Sequence, residues 1–479
     1  MSEWKSVFDA NISLYVRIIV EHLLNNGWQM ISINDYTRNM PSFSCMDALK
    51  TNDYQKEGLF PIVSQSKDLI SGYTDNKQLV NKIDSPIIIF GDHTQVVKYI
   101  DFDFVLGADG TKILTVSKDY LPKFLYYIIK SIDLHSNKYA RHYSKLRKEK
   151  IPYCKDSINI QEKIVAFLDS LAENAIEEKN YFDKIIESKI ISLQKECLNI
   201  CLIEKENEKQ KSYAKQLRQN ILQEAIEGKL TTDWRKQHPV QKGNPDYDAE
   251  ALFDKMQAEK SETKSSQKTV APVTKDEIPF EIPIGWKWAR LGEICRKLTD
   301  GSHNPPPNSG KGYPVISAMN IKNGRISLDN VIRYTDENGF QRENKRTSIT
   351  KGDIIMGIIG ASIGNVAIYD HDKKVIAQRS IAIIDALIDN VFVLNALNSI
   401  FIQKYLNEKA FGSAQGGVYL GKISNIPFPL PSLAEQKEIV ARVEQYLQTI
   451  TQLESQIATR ETTTKQLMQS ILKDAFEEG

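Results

Sequence analysis

The chain is written twice, and that duplication limits its fold more than any single motif. Lys215-Gln-Leu-Arg-Gln-Asn-Ile-Leu-Gln-Glu-Ala-Ile-Glu227 and Lys465-Gln-Leu-Met-Gln-Ser-Ile-Leu-Lys-Asp-Ala-Phe-Glu477 agree at eight of thirteen positions. Gln161-Glu-Lys-Ile-Val-Ala-Phe-Leu168 likewise aligns with Gln436-Lys-Glu-Ile-Val-Ala-Arg-Val443. Upstream, Ile151-Pro152-Tyr153 answers to Ile426-Pro427-Phe428, Phe60-Pro-Ile-Val-Ser64 to Tyr313-Pro-Val-Ile-Ser317, and Gly27-Trp28 to Gly285-Trp286. What one copy builds the other builds again, so the order is globular unit, helix, globular unit, helix. In 479 residues this leaves two mixed α/β units of about 130 to 150 residues, each able to bury its own core. The predicted layout is an α+β chain with an N-terminal amphipathic helix over 1–26 and a first domain over 27–155. A long helical region over 156–228 and a linker over 229–278 follow, then a second domain over 279–431 and a final helix over 432–479.

Periodicity supplies the elements. Trp4, Val7, Phe8, Ile12, Tyr15, Ile18, Ile19 and Leu23 form the apolar stripe of a helix, expected to dock on another component of a complex. The apolar run Leu14 to Leu24 carries Arg17 and Glu21 and is shorter than the ~20 residues of a bilayer span, so neither an export signal nor a membrane segment is expected. Strands are predicted over Phe60–Val63, Ile87–Phe90, Val96–Ile100 and Lys112–Val116, then a helix over Tyr120–Ile132. In the second domain, strands are predicted over Tyr313–Ile316, Asp353–Ile359, Asn365–Tyr369 and Val375–Ile384, then a helix over Phe392–Lys409. Within the linker, Asp248–Lys260 reads as a short helix.

Both long helical regions carry apolar residues three and four apart. Leu168, Leu171, Phe182, Ile186 and Leu193 mark the first; Val443, Ile450, Leu453, Ile457, Leu467 and Ile471 mark the second, where Arg460 and Thr464 are polar interruptions of a coiled-coil seam. The two are unequal. From Gln161 to Lys215 is 54 residues and from Gln436 to Lys465 is 29, so the first region holds 25 more, worth roughly 38 Å of helix. The charged run Glu204–Lys211 is where a break or overhang is expected.

The residues offer no complete active site. Asn304-Pro305-Pro306-Pro307 resembles the Asn-Pro-Pro-aromatic loop of amino-methyltransferases, but proline stands where the base-stacking ring belongs. It is expected to be a stiff loop. Gly357-Ile-Ile-Gly-Ala-Ser-Ile-Gly364 lacks the Lys-Ser/Thr of a phosphate loop and is expected to be a tight turn or a close backbone approach. Cys197 and Cys201 lie four apart without further ligands, and the seven histidines show no metal spacing. Five cysteines without a CxxC pair suit a reducing compartment. The net charge of +1 hides unlike parts. Residues 285–430 carry eighteen Lys/Arg against twelve Asp/Glu, and Asn137–Lys150 carries six against one with two tyrosines interleaved. Basic, polar loops on paired units suit a ligand of repeated negative charge.

At these residues the chain resembles the specificity subunit of a type I restriction-modification system. The carriers are the repeated Gly-Trp entries and Ile-Pro exits, Gln219-Asn-Ile-Leu-Gln-Glu-Ala-Ile-Glu-Gly-Lys-Leu-Thr231 followed by Trp234-Arg235, and Ile282-Pro-Ile-Gly-Trp-Lys-Trp-Ala-Arg-Leu-Gly-Glu293. The resemblance implies a non-catalytic, cytoplasmic, nucleoid-associated subunit. Its two target-recognition domains would each read half of a bipartite, asymmetric DNA site, with the long helices packed as an antiparallel coiled coil between them. It also implies two modification subunits carrying S-adenosylmethionine, restriction subunits carrying ATP and magnesium, and no cofactor or metal on this chain. Candidate DNA contacts in the first domain are Ser64, Gln65, Lys67, His93, Thr94, Gln95, Lys98, Lys138, Arg141, His142 and Lys145. In the second they are Ser302, His303, Asn304, Asn320, Lys322, Arg342, Lys345, Arg346, Ser362, Gln378, Arg379 and Gln415. The alternative is a coiled-coil scaffold that bridges proteins without reading DNA sequence.

Overall fold

The computed structural model describes residues 2–37, 43, 45–107, 110–134, 141–177, 180–262, 270–329, 331–410 and 416–477. Two compact units emerge, Met1–Glu206 with Glu461–Gly479, and Asn207–Arg460.

The first unit begins with α1 (Glu3–Asn25), capped by the Ser2 hydroxyl, which accepts from the Lys5 N–H. Then come β1 (Gln29–Ser32), α2 (Ile33–Thr37), β2 (Phe60–Val63), β3 (Gly72–Thr74), β4 (Val80–Asn81), β5 (Ile87–Gly91), β6 (Val97–Ile100), β7 (Phe104–Leu106) and β8 (Thr111–Leu114). α3 (Pro122–Ser131), α4 (Tyr143–Leu146), β9 (Lys150–Tyr153), α5 (Ile158–Glu173) and the start of α6 (Lys184–Ile226) follow, and the end of the last helix, from Glu461 on, completes it. β5 sits between β6 and β8, antiparallel to both, while β2 runs parallel to β7. The apolar run of β5 is buried on both faces, as period-two alternation requires. Ile88 and Phe90 join the core with α1, α3 and α5, and Ile87 and Ile89 join a smaller core with Val63, Ile100 and Phe104.

The apolar stripe of α1, expected to dock on another component, packs into this core instead. Tyr15 is fully buried and its hydroxyl donates to Gln194 Oε1 (2.7 Å), while Gln194 Nε2 donates to the Trp4 carbonyl (2.9 Å). The helical region does break, but not at Glu204–Lys211, which lies inside the uninterrupted α6. The interruption follows α5, where Asn174 adopts a left-handed conformation (φ +56°) and its N–H returns to the last turn. α6 then restarts on carboxylates: Glu187 accepts from the Phe182 N–H (2.6 Å), and Asp183 accepts from the Ile185 N–H (2.9 Å).

The second unit holds the rest of α6, α7 (Thr232–Gln237), α8 (Ala249–Glu262), β10 (Lys287–Arg290), β11 (Cys295–Asp300), β12 (Tyr313–Ile316), β13 (Ile321–Lys322), β14 (Arg325–Ile326), β15 (Tyr334–Thr335) and α9 (Glu337–Thr347). β16 (Ile354–Gly357), β17 (Val366–Ile368), β18 (Ile376–Ala377), β19 (Ile381–Ala386), α10 (Asn390–Leu397), α11 (Ile400–Ala410), α12 (Leu420–Ser424), β20 (Pro427–Leu430) and most of α13 (Leu433–Glu477) follow. The first domain's plan returns. β16 lies between β17 and β19, antiparallel to both, and β12 runs parallel to β18. Ile354 and Met356 face one core, Ile355 the other.

Three expectations are corrected here. Val375–Ile384 is two strands, because the chain turns between Ala377 and Ile381 to leave β12 and join β16. Phe392–Lys409 is two helices, divided at Asn398–Ser399. The linker's helix is core rather than spacer, since Ala249, Leu252 and Met256 of α8 are buried with Trp286 and Ile439. Glu435, its side chain 4% exposed, locks this region: it accepts from Thr231 Oγ1 (2.7 Å), Arg235 (2.5 Å) and Trp286 Nε1 (2.7 Å).

In this unit α6 and α13 pair antiparallel. Arg218 bonds Glu454 (3.1 Å), whereas the earlier Gln210 accepts from the later Arg460 (3.1 Å). Of the seam positions, Leu168, Leu171, Leu193, Val443, Ile450 and Ile457 are buried, and Phe182, Ile186 and Ile471 are partly buried. Leu453 (44% exposed) and Leu467 (48%) stay exposed, Leu453 in a groove it lines with Ala214 and Leu217 of α6 and Ile457 of α13.

Candidate nucleic-acid interface

Four connections meet at the strand ends of the first domain: the residues after β2, the β5–β6 turn, the β7–β8 connection and the segment entering α4. Gln65, after β2, accepts the His93 N–H on Oε1 (3.2 Å) and the Thr94 hydroxyl on its carbonyl (2.7 Å). Asp92, 5% exposed, accepts the Tyr143 N–H on Oδ1 (2.7 Å), and its carbonyl accepts the His142 N–H (2.8 Å). Gly110 lies so close to Gln65 and His93 that a Cβ would press on both. Gln95 holds the turn at φ +58°.

The second domain brings together the same four connections. After β12, the Ala318 N–H donates to Ser380 Oγ (3.1 Å) of the β18–β19 connection. In the β16–β17 turn, the Gly360 N–H donates to the Gly416 carbonyl (3.0 Å), and the Val418 N–H donates to the Ile358 carbonyl (2.9 Å) on the way into α12. β11 adds a fifth segment. Ser302 bridges to Gln378, its N–H donating to the Ala377 carbonyl (2.7 Å) and its carbonyl accepting from the Arg379 N–H (3.0 Å). Gly301 permits this, because a Cβ there would meet the Gln378 carbonyl. The Asp300 carboxylate accepts from His303 Nε2 (2.7 Å) and Arg346 (2.7 Å), and Arg346 also donates to the Gly301 carbonyl (2.6 Å). Arg379 and the 55%-exposed Tyr419 line an indentation with Asp300, His303 and Ile358.

The candidate contacts divide accordingly. Lys67, Thr94, Arg141, Lys145, His303, Asn304, Lys322, Arg342, Lys345, Arg346 and Arg379 are exposed. Gln65, His93, Gln95, Ser362 and Gln378 are half-buried. Lys138 and Gln415 lie outside the described residues.

Five are corrected, because their side chains are buried. Lys98, 4% exposed, donates to the Asp68 and Leu69 carbonyls, and burial pushes its ammonium down to about 8. Asn320 accepts the Ser317 N–H (2.9 Å) and donates to the Ser327 carbonyl (3.1 Å), closing its own turn. Ser64 bonds Ser71 (2.7 Å). Ser302 is walled in by the Gln378 bridge. His142 is 3% exposed, and its Nδ1 has no partner among the described residues. Sequence reasoning missed Asp300 as a bracket and Tyr419 as a lining ring; the one usable signal was an aromatic residue just after the glycines at 416 and 417.

The two loops that tempted a catalytic reading have structural work. The Pro306 carbonyl accepts from Arg333 (2.9 Å), and Gly357 lies against the Ser362 carbonyl. Among the described residues no group of His, Cys, Asp and Glu could hold a metal ion, and no helix is long and apolar enough to cross a membrane.

Residues 283–460 match the family described as type I restriction modification DNA specificity domain. The specificity subunit of the type I restriction enzyme EcoBI of Escherichia coli is 31% identical over 207 residues, 42% of this chain and 43% of that one. That of EcoEI, also from Escherichia coli, is 24% identical over 278 residues, 54% of this chain and 45% of that one. The chain thus spans less than half the length of these curated relatives. A crystal structure of the HsdS subunit from Thermoanaerobacter tengcongensis covers 94% of this chain and 96% of that one at 16% identity, with a TM-score of 0.37. The match to the type I restriction modification DNA specificity domain family thus falls on the second domain and the first part of the helix after it.

Proposed function

We propose that this chain is the DNA-recognition subunit of a type I restriction-modification complex. The observation that carries the reading is the recurrence of one loop edge in both domains, built from the same four connections and presenting cations and amides outward. Each edge reads one half of a bipartite, asymmetric site. The exposed Arg379 and the half-buried Gln378 beside it suit base edges, and exposed Lys suits phosphates. The paired helices set the spacing of the half-sites and hold two modification subunits. Methyl transfer uses S-adenosylmethionine on those subunits, and restriction subunits with ATP and magnesium supply translocation and cleavage. This chain contributes binding rather than chemistry, in the cytoplasm, at the nucleoid.

Selection from a randomised duplex pool by the assembled complex tests this. A motif of two fixed blocks separated by a fixed number of free positions is expected. An unenriched pool would leave the bridging scaffold as the better account.

A further inference from the structure

Among the described residues, the second domain carries an element with no counterpart in the first. Residues 64–86, which join β2 to β5, hold two short strands and a 3-10 turn, whereas the corresponding stretch between β12 and β16 adds the hairpin β13–β14, β15 and α9. We infer that α9 is a phosphate clamp: a surface that grips the DNA backbone beside the loop edge and leaves base reading to the loops. This rests on the DNA-recognition reading above.

The helix is built to stay in place. Asp336 caps it by accepting the Gly339 N–H (2.8 Å), and Phe340, 3% exposed, stacks on Tyr313 at 4.2 Å and 16°. Gly339 lets the first turn lie against Pro306, so the stiff proline loop becomes its brace. Thr347 is fully buried, Ser348 ends the helix at φ +38°, and Arg346 pins the last turn to Asp300 and Gly301, residues of the loop edge itself.

The opposite face is cationic. Arg342, Lys345 and Arg346 are spaced three and four apart, so they share one side of the helix. All three are exposed, and Lys345 makes no ion pair among the described residues. Glu343 offsets Arg342 (3.0 Å) without burying it. They span about 6 Å of helix axis, while each DNA strand carries a phosphate about every 3.4 Å of its axis. That match suits backbone contact. Arg346 already has two of its bonds committed inside the domain, so its charge is fixed in position, which helps a phosphate more than a base edge. Glu337, the acid of the first turn, is turned to Tyr313 and Gln341 rather than to this face.

Each phosphate contact contributes about 0.9 to the slope of log K against log salt, or about 3.5-fold in affinity between 50 and 200 mM. The test measures anisotropy of a labelled 40-base-pair duplex of random sequence with the full chain across that range. Lys345→Ala is expected to flatten the slope by about 0.9 and Arg342→Ala/Lys345→Ala by about 1.8, with Lys345→Arg restoring it and the thermal midpoint unchanged. Wild-type binding with an unaltered slope in the double variant overturns the clamp alone. Equal flattening by Lys236→Ala, on α7, overturns it as well. No binding of duplex by the wild-type chain overturns the clamp together with the DNA reading beneath it.

Discussion

The two loop edges are made from the same connections but fastened differently. In the first domain side chains share the fastening with backbone bonds of Asp92: Gln65, Asp92 and Lys98 bind backbone groups of neighbouring loops. In the second, backbone binds backbone through Ser302, Gly360 and Val418, and the side chains that help are Ser380 and Arg346. The consequence is a difference in what remains for a ligand. Where the main chain closes the edge, Gln378 makes no side-chain hydrogen bond and Arg379 no ion pair among the described residues, and both can face outward. Where side chains close it, the outward charges that remain, Lys67, Arg141 and Lys145, are at its margin. A polar residue in a loop is therefore either reader or fastener, and its type alone does not say which.

This comparison can be pressed from the first domain. The largest effect is expected from Arg141→Ala/Lys145→Ala, which removes two exposed cations next to the α4 entry. The slope of log K against log salt should fall by up to about 1.8, costing about 12-fold between 50 and 200 mM, with the loss confined to the half-site that domain reads. An unchanged slope removes both residues from the interface.

A smaller and different effect is expected at Lys98. Its ammonium is held near 8 in the folded domain against 10.5 in the unfolded chain. Between those values the unfolded chain binds the extra proton, so the stability of the first unit should rise as pH climbs from about 8 to 10.5 and then level off. Lys98→Met should abolish that rise, and any loss of DNA affinity should leave the salt slope untouched. A flattened slope would return Lys98 to the interface.

How far the sequence could be read follows from the same distinction. Apolar periodicity located β2 and β12 to the residue and α1 and α3 closely, because burial is written in spacing. The break after α5 was invisible: it rests on one asparagine in a left-handed conformation, while the charged run Glu204–Lys211, which looks like a break, remains helical because a long helix can solvate one face. Val375–Ile384 reads as one strand because apolar runs lie at both its ends, but the polar Gln378-Arg379-Ser380 between them is a turn, which places Gln378 and Arg379 at the edge. Lys98 lies two residues before buried Ile100 and so shares its face of β6, and alternation alone puts it inside. Its charge argues for the surface, and the Asp68 and Leu69 carbonyls that accept from it come from a loop distant in sequence, which local pattern does not carry.

The central claim is that the two edges read separate halves of one site. Mapping methylated adenines across the genome of cells carrying the wild-type chain or Arg379→Ala tests it most directly. An arginine bonded to a base edge is worth about 1 to 3 kcal/mol of discrimination. The account predicts a bipartite motif in which the variant relaxes one position of one block and leaves the other block and the spacing intact. Relaxation in both blocks, or a motif unchanged by the substitution, would contradict it.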